Sequence, residues 1–301
     1  MAKNLLGKYV WLVETIYRAG KISFEEINKK WFNDDMGEKP IPLRTFHKWR
    51  DAIEEMFGLV IENEKSGGYR YYIENADDLK NGGMRSWLFN TLTVSNLMID
   101  NLNIKNKILF EEIPAGEEYL PIIIKSLQNN QQLYMTYQSY WRDVANSFEV
   151  EPLCIKAFKQ RWYLVANSPY YDKIMIYSLD RIKDLQETDT HFDYPKDFDG
   201  EKYFEDCFGI IMDSNYNVEK VRIKVSAGQA NYLRGLTLHQ SQLEIERNDE
   251  YSIFEVTVRP TFDFQQELLS MGSDIEVLSP KWFREDTAER IKQMWEKYKN
   301  D

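Results

Sequence analysis

The sequence predicts a multidomain chain of the α+β class. Three stretches carry that expectation: apolar residues at helical spacing from Leu5 to Phe57, period two from about Tyr119 to Thr190, and both periods interleaved from about Val218. A length of 301 residues is about twice that of a usual domain, so two or three compact units are expected, each with its own core.

The first helix is read from Leu5, Leu6, Tyr9, Val10, Leu12, Val13, Ile16 and Tyr17, which share one face, and it stops at Gly20. Ser23 followed by Glu26 is a capping box, in which hydroxyl and carboxylate satisfy free amides at a helix start. It opens a second helix with Phe24, Ile27 and Trp31 on its apolar face. After a polar turn from Asn33 to Pro40, the run from Leu43 to Phe57 sets Phe46, Trp49, Ile53 and Phe57 on one stripe, with Gly58 as its stop. Leu59 to Asn63 and Tyr69 to Ile73 are two short strands around Glu64-Lys65-Ser66-Gly67-Gly68, a hairpin loop. Three helices and a hairpin in this order predict a winged helix-turn-helix over residues 1–75.

Residues 76–117 read as a polar linker, partly helical through Trp87, Leu88, Leu92, Leu97 and Leu102, with a hinge at Asn81-Gly82-Gly83 and a capacity to dimerise. Leu133, Met135 and Tyr137 then alternate with polar residues, and Phe148–Phe158, Arg161–Ala166 and Lys173–Leu179 follow as strands. A small β-barrel or strongly bent sheet fits residues 118–192, with a connector over 193–217. From Val221 the order is strand, helix, strand, strand, helix, strand and a final helix ending near Tyr298. That βαββαβ order predicts a ferredoxin-like α+β domain over 218–301.

Composition narrows the function classes. The longest apolar runs, such as Ile122-Ile123-Ile124, are too short to span a bilayer, so no membrane partner is expected. Met1 to Lys8 lead into the amphipathic pattern without a secretory signal. Cys154 and Cys207 are the only cysteines, without metal or disulfide spacing, and fit a reducing, cytoplasmic compartment. His47, His191 and His239 form no recognisable metal pair or triad, and there is no Walker loop or dinucleotide turn. Acid pairs such as Asp34-Asp35 read as solvated loops. The chain is therefore expected to be a binding protein and not an enzyme, with no cofactor and no metal.

A net charge of −11 argues at first against nucleic acid, but its distribution does not. Residues 1–75 carry 12 Lys or Arg against 12 Asp or Glu, so the whole excess of acid lies after them. On the third helix Arg44, Thr45, His47 and Lys48 lie away from the core stripe, and Arg50 lies at the edge of that face. From Leu43 to Arg50 there are three fixed positive charges and no carboxylate, at the helix end that enters the major groove in a helix-turn-helix. Arginine pairs bidentately with guanine, and Thr or His can reach a base edge or phosphate. Lys65 and Arg70 on the hairpin are placed for flanking phosphates or the minor groove. The alternative is a solvated face of a protein-interaction module, since Asp51, Glu54 and Glu55 follow at once.

Arg161-Trp162-Tyr163-Leu164-Val165-Ala166, preceded by Glu151-Pro152-Leu153 and followed by Leu179-Asp180-Arg181-Ile182, resembles the WYL domain. Trp162, Tyr163 and Leu164 match its name-giving motif, and Asp180 and Arg181 the later one. The resemblance runs along the whole chain, since such proteins commonly begin with a winged helix and end in an α+β extension, the WCX domain. It implies an Sm-like barrel, a bacterial transcription regulator, and an effector that is a nucleotide or single-stranded nucleic acid. Where many members carry arginine, this chain has Phe148 and Met175, which puts a polyanionic effector in doubt unless Lys156, Lys159, Arg161 and Arg181 substitute.

Strand alternation places Trp162, Leu164 and Ala166 on one face and Arg161, Tyr163 and Val165 on the other. Either Trp162 and Tyr163 are packing, or an aromatic beside arginine on an open face makes a stacking platform for bases. Tyr137, Tyr140, Trp141 and Arg142 form a second aromatic and basic group for the same pocket. The expected effector residues are thus Trp162, Tyr163, Arg161, Arg181, Tyr137, Arg142 and Lys159. The expected partners are double-stranded DNA, that effector and a second copy of the chain, because paired half-sites multiply the affinity of one short helix. The other class consistent with the sequence is an accessory protein whose winged helix meets a protein and whose WYL domain holds the nucleic acid.

Overall fold

The computed structural model describes residues 5–34, 36–64, 69–79 and 116–299. Two compact units divide the chain, residues 1–111 and 112–301. The helical positions expected at Trp87, Leu88, Leu92, Leu97 and Leu102, the hinge at Asn81-Gly82-Gly83 and the hairpin residue Lys65 lie outside the described residues.

In the first unit, α1 (Leu5–Ala19) ends before Gly20, whose φ of 69° is a left-handed turn that glycine adopts without strain. A two-residue strand, β1 (Ile22–Ser23), precedes α2 (Phe24–Asn33). The capping box forms: the Ser23 hydroxyl accepts from the Glu26 amide at 3.2 Å, and the Glu26 carboxylate accepts from the Ser23 amide at 2.8 Å. The turn after α2 is pinned twice. Trp31 Nε1 donates to the Lys39 carbonyl at 3.0 Å, and the Asn28 side chain accepts from the Ile41 amide at 2.6 Å.

Helix α3 (Leu43–Phe57) stops at Gly58, left-handed at φ 63°, whose amide returns to the Glu54 carbonyl at 2.8 Å. Strands β2 (Ile61–Glu64) and β3 (Arg70–Ile73) pair antiparallel, and β1 adds to β3, giving the order β1-β3-β2. Leu12, Ile16, Ile27, Phe46 and Ile53 are fully buried between helices and sheet. Burying each such side chain stabilises the unit by about 1.5–3 kcal/mol.

The second unit begins with α4 (Leu120–Asn129), which packs on a five-stranded antiparallel sheet. Its strands are β4 (Gln131–Tyr137), β5 (Asn146–Phe158), β6 (Arg161–Ser168), β7 (Lys173–Ser178) and β8 (Ile182–His191), in the order β7-β6-β5-β4-β8. A bulge between Pro152 and Cys154 bends the long β5, whose first half pairs with β4 and second half with β6. Among the described strands no ladder joins β7 to β8. The sheet is therefore strongly bent but not the closed barrel that was expected, because β8 spends its pairing edge on β4 alone.

Both faces of β6 are covered. Leu164 and Ala166 pack with Ile123, Leu133, Met135 and Val150, whereas Val165 packs with Phe204 and Cys207. Of the two readings left by the sequence, packing or an open platform, this face shows packing around Val165. It is closed by the connector, which includes the short helix α5 (Gly200–Tyr203), capped by the Asp199 carboxylate. Gly209 sits where a Cβ would lie 2.5 Å from the Asp263 carboxylate and 2.6 Å from the Phe158 ring, so only glycine fits there.

The C-terminal part runs β9 (Glu219–Ser226), α6 (Ala227–Gly235), β10 (Leu243–Arg247), β11 (Tyr251–Val258), α7 (Phe262–Ser270), β12 (Ile275–Ser279) and α8 (Lys281–Tyr298). Its sheet is antiparallel throughout, in the order β10-β11-β9-β12. Val221, Ile223, Phe254, Val256, Phe264 and Leu268 form its core. A ring series from Phe158 to Phe208 (5.7 Å) and on to Phe264 (5.6 Å) joins this domain to β5. Among the described residues no helix is long and apolar enough to cross a membrane.

Candidate functional sites

The first site is the outer face of α3. Its inner face is fixed by Phe46, Trp49 and Ile53, and Phe46 meets Tyr71 of β3 edge to face at 4.7 Å. That docking leaves Arg44, His47 and Lys48 exposed and Thr45 half-buried, with no acid in the first turn. Among the described residues neither Arg44 nor Lys48 is held in an ion pair.

Arg50 behaves differently from its expected role. Its guanidinium donates to the Ile61 carbonyl and lies 5.5 Å from the Tyr71 ring, so it braces α3 against the hairpin instead of facing outward. Arg70 is exposed on β3 beside the first turn of α2. There the Glu26 carboxyl is held below its ordinary range, first by the Ser23 amide and hydroxyl and then by Arg70 and Lys29. Lys29 and Lys30 line a shallow depression with Lys21, which pairs with Glu64 at 2.9 Å. No sequence signal marked Lys29 and Lys30, because they lie on the helix before the expected recognition element.

The second site is a polar cleft of about 420 Å³ between the β4–β5 loop and the turn into β8. It is lined by Gln138, Ser139, Tyr140, Arg142, Asp143, Asp180, Arg181 and Lys183. The Arg181 guanidinium lies 3.6 Å from the Tyr140 ring centroid, a stacked cation–π geometry. Arg161 stands 3.7 Å from Asp180, which also accepts from the Ser178 hydroxyl. The Tyr137 hydroxyl accepts from the Ser178 amide at 3.3 Å, and burial raises its pKa against the opposing pull of Arg181. Trp141, beside the lining residues in the same loop, is 93% exposed.

The expected effector residues therefore separate. Tyr137, Arg142, Arg161 and Arg181 gather at or beside the cleft. Trp162 packs half-buried against the sheet core, and Tyr163 is buried at 8% exposure, with burial raising the pKa of its hydroxyl. Lys159 lies at the β5–β6 turn with φ 45° and pairs with Glu267 of α7 at 2.5 Å, away from the cleft. Phe148 and Met175 pack on the same core, Phe148 at 5.6 Å from Tyr177, and contribute no charge. Tyr140, Lys183 and Gln138 complete the cleft. Tyr140 had a sequence signal in its neighbours Trp141 and Arg142, whereas Lys183 follows a one-turn 3-10 helix and had none. Among the described residues no three His, Cys, Asp or Glu side chains cluster as metal ligands.

Residues 118–187 match the WYL domain and residues 217–295 the WCX domain. None of the curated proteins matches the chain. Among solved structures, proteasome accessory factor B/C (PafBC) of Arthrobacter aurescens is similar at 14% identity and a TM-score of 0.39, over 95% of this chain and 46% of that one. This chain thus spans less than half of that structure. A CRISPR Cas-related protein is similar at 12% identity and a TM-score of 0.40, over 90% of this chain and 77% of that one. The chain thus contains a WYL domain around the bent sheet and a WCX domain after it.

Proposed function

We propose that this chain is a transcription regulator that holds duplex DNA through its first unit and senses an effector at its WYL domain. The first unit is a winged helix-turn-helix over residues 1–75, followed by a linker over 76–117. The WYL domain spans 118–192 with an Sm-like strand order, a connector covers 193–217, and a ferredoxin-like domain occupies 218–301. The protein is not an enzyme, works in the cytoplasm and binds as two copies. The observation that carries this reading is the acid-free face at the N-terminal end of α3 beside a hairpin, where Arg44, His47 and Lys48 are exposed and Thr45 is half-buried.

The cleft supports the effector half of the reading. In its lining Arg142, Arg181 and Lys183 outnumber Asp143 and Asp180, and the stacked Tyr140 with exposed Trp141 offers planes to a base. A nucleotide or single-stranded nucleic acid suits that chemistry. An effector shifts DNA binding only by the difference in its affinity for the competent and incompetent states.

Fluorescence anisotropy with labelled duplex at rising salt tests the DNA half. Wild type should weaken steeply, and Arg44→Ala with Lys48→Ala should lower the slope by about one for each phosphate that is no longer neutralised. The exposed Asp51, Glu54 and Glu55 favour the second reading, in which α3 meets a protein partner; absence of salt-dependent duplex binding would select it.

A further inference from the structure

Tyr140 covers two arginines at the effector cleft. Its ring lies on the Arg181 guanidinium at 3.6 Å, and its hydroxyl reaches the Arg161 guanidinium, which also pairs with Asp180 at 3.7 Å. The Tyr137 hydroxyl stands at the edge of Arg181, yet Arg181 Nε is buried with no hydrogen-bond partner among the described residues. A buried donor without an acceptor is costly, and an acceptor that entered here would satisfy it. Tyr140 itself is 67% exposed, in a loop closed on itself by the Arg142 amide on the Ser139 carbonyl at 3.2 Å and the Gln138 side chain on the Asp143 carbonyl at 3.3 Å. Its ring can therefore leave Arg181 without any strand pairing being broken.

The outer faces of Tyr140 and Trp141 receive a base at the rim, but a ligand gains both arginines only by taking the place of Tyr140. It must then supply what Tyr140 supplies, a flat ring over Arg181 and an oxygen at Arg161. Inorganic phosphate brings only the oxygen, and a nucleoside brings the ring without the charge. A nucleotide brings both, since bases stack on guanidinium planes and a phosphate oxygen bonds arginine more strongly than a phenol does. Arg142 and Lys183, neither of them in an ion pair among the described residues, and a volume of about 420 Å³ suit a ligand of that size and charge. We propose that Tyr140 is a plug that holds the place of one nucleotide, whose base lies on Arg181 and whose phosphate meets Arg161 once the ring swings out. A free nucleotide and a nucleotide within a single strand share this chemistry.

This inference rests on the effector half of the proposed function, and its test contains no duplex. Calorimetric titration of the full chain uses the four nucleoside 5′-monophosphates, the matching nucleosides, inorganic phosphate and a short single-stranded oligonucleotide. A nucleotide, free or in the strand, should bind more tightly than nucleoside or phosphate, and whether the monophosphates or only the strand bind tells the two sources apart. Tyr140→Ala should tighten that binding about tenfold, the factor for a plug shut about nine-tenths of the time. Arg181→Lys, which keeps the charge and loses the plane, should abolish it. Amide exchange over residues 138–145 of the wild type should rise when nucleotide is added, because Tyr140 leaves its seat. Binding that is lost in Arg181→Lys but unchanged or weakened in Tyr140→Ala overturns the plug and leaves the effector reading standing. No binding of any probe by wild type or by Tyr140→Ala overturns both.

Discussion

Arg44 and Arg50 lie less than two turns apart on α3, yet packing gives them opposite work. Arg50→Ala removes the bond to the Ile61 carbonyl and the stacking on Tyr71, and should cost about 1–3 kcal/mol in denaturant unfolding. Arg44→Ala and Lys48→Ala, both on the exposed face, should stay within about 0.5 kcal/mol of wild type in the same measurement. Sequence placed all three on one face because helical phase resolves a side to only about a third of a turn, and the edge position is decided by what the adjacent sheet offers. The WYL motif behaves similarly. Alternation correctly separated Leu164 from Val165, but the burial of Val165 depends on Phe204 and Cys207, some forty residues onward. The same burial pushes the Cys154 thiol up to about 11, with Lys156 pulling weakly the other way. Labelling by a thiol reagent at pH 7 to 8 should therefore be slow in the native protein and fast after unfolding, because the thiolate is the reactive form; fast native labelling would contradict that burial.

At the scale of elements, α1, α2 and α3 were legible nearly to the residue, since Gly20, the Ser23–Glu26 box and Gly58 are punctuation with a physical cause. Strand β1 was not, because two residues have no period and its pairing with β3 is a tertiary event. Nor was the cap that Asn75 supplies, donating to the Gly58 carbonyl at 2.8 Å and accepting from the Val60 amide at 3.0 Å. Ser23→Ala should cost about 1 kcal/mol of the first unit's stability, read by urea melts. In the C-terminal domain Arg234 of α6 donates to both oxygens of Glu244 on β10, through Nε and Nη2, which lowers that carboxyl from 4.5 to about 2. A depressed carboxyl stabilises the fold above its unfolded pKa, and the contribution fades as pH falls from about 4.5 through about 2. Acid titration of Glu244→Gln should be flatter across that window than wild type, and an identical curve would mean that the pair contributes nothing.

For the whole molecule, a net charge of −11 coexists with a neutral first 75 residues, which keeps repulsion from phosphate off the proposed DNA-facing unit. The effector cleft was legible only in part: Tyr140, Arg142 and Arg181 were expected in one pocket, but Gln138 and Lys183 join them only because the fold unites a loop near 140 with a turn near 180. The central claim, duplex binding through α3, is tested most directly by selecting fragments of the source genome with purified wild type and with the Arg44→Ala, Lys48→Ala variant, both sequenced at moderate salt. Enrichment of a few intergenic sites with paired half-sites by wild type, abolished in the variant, is the predicted result; equal enrichment by both proteins, or none by either with candidate nucleotides and single strands supplied, would contradict the account.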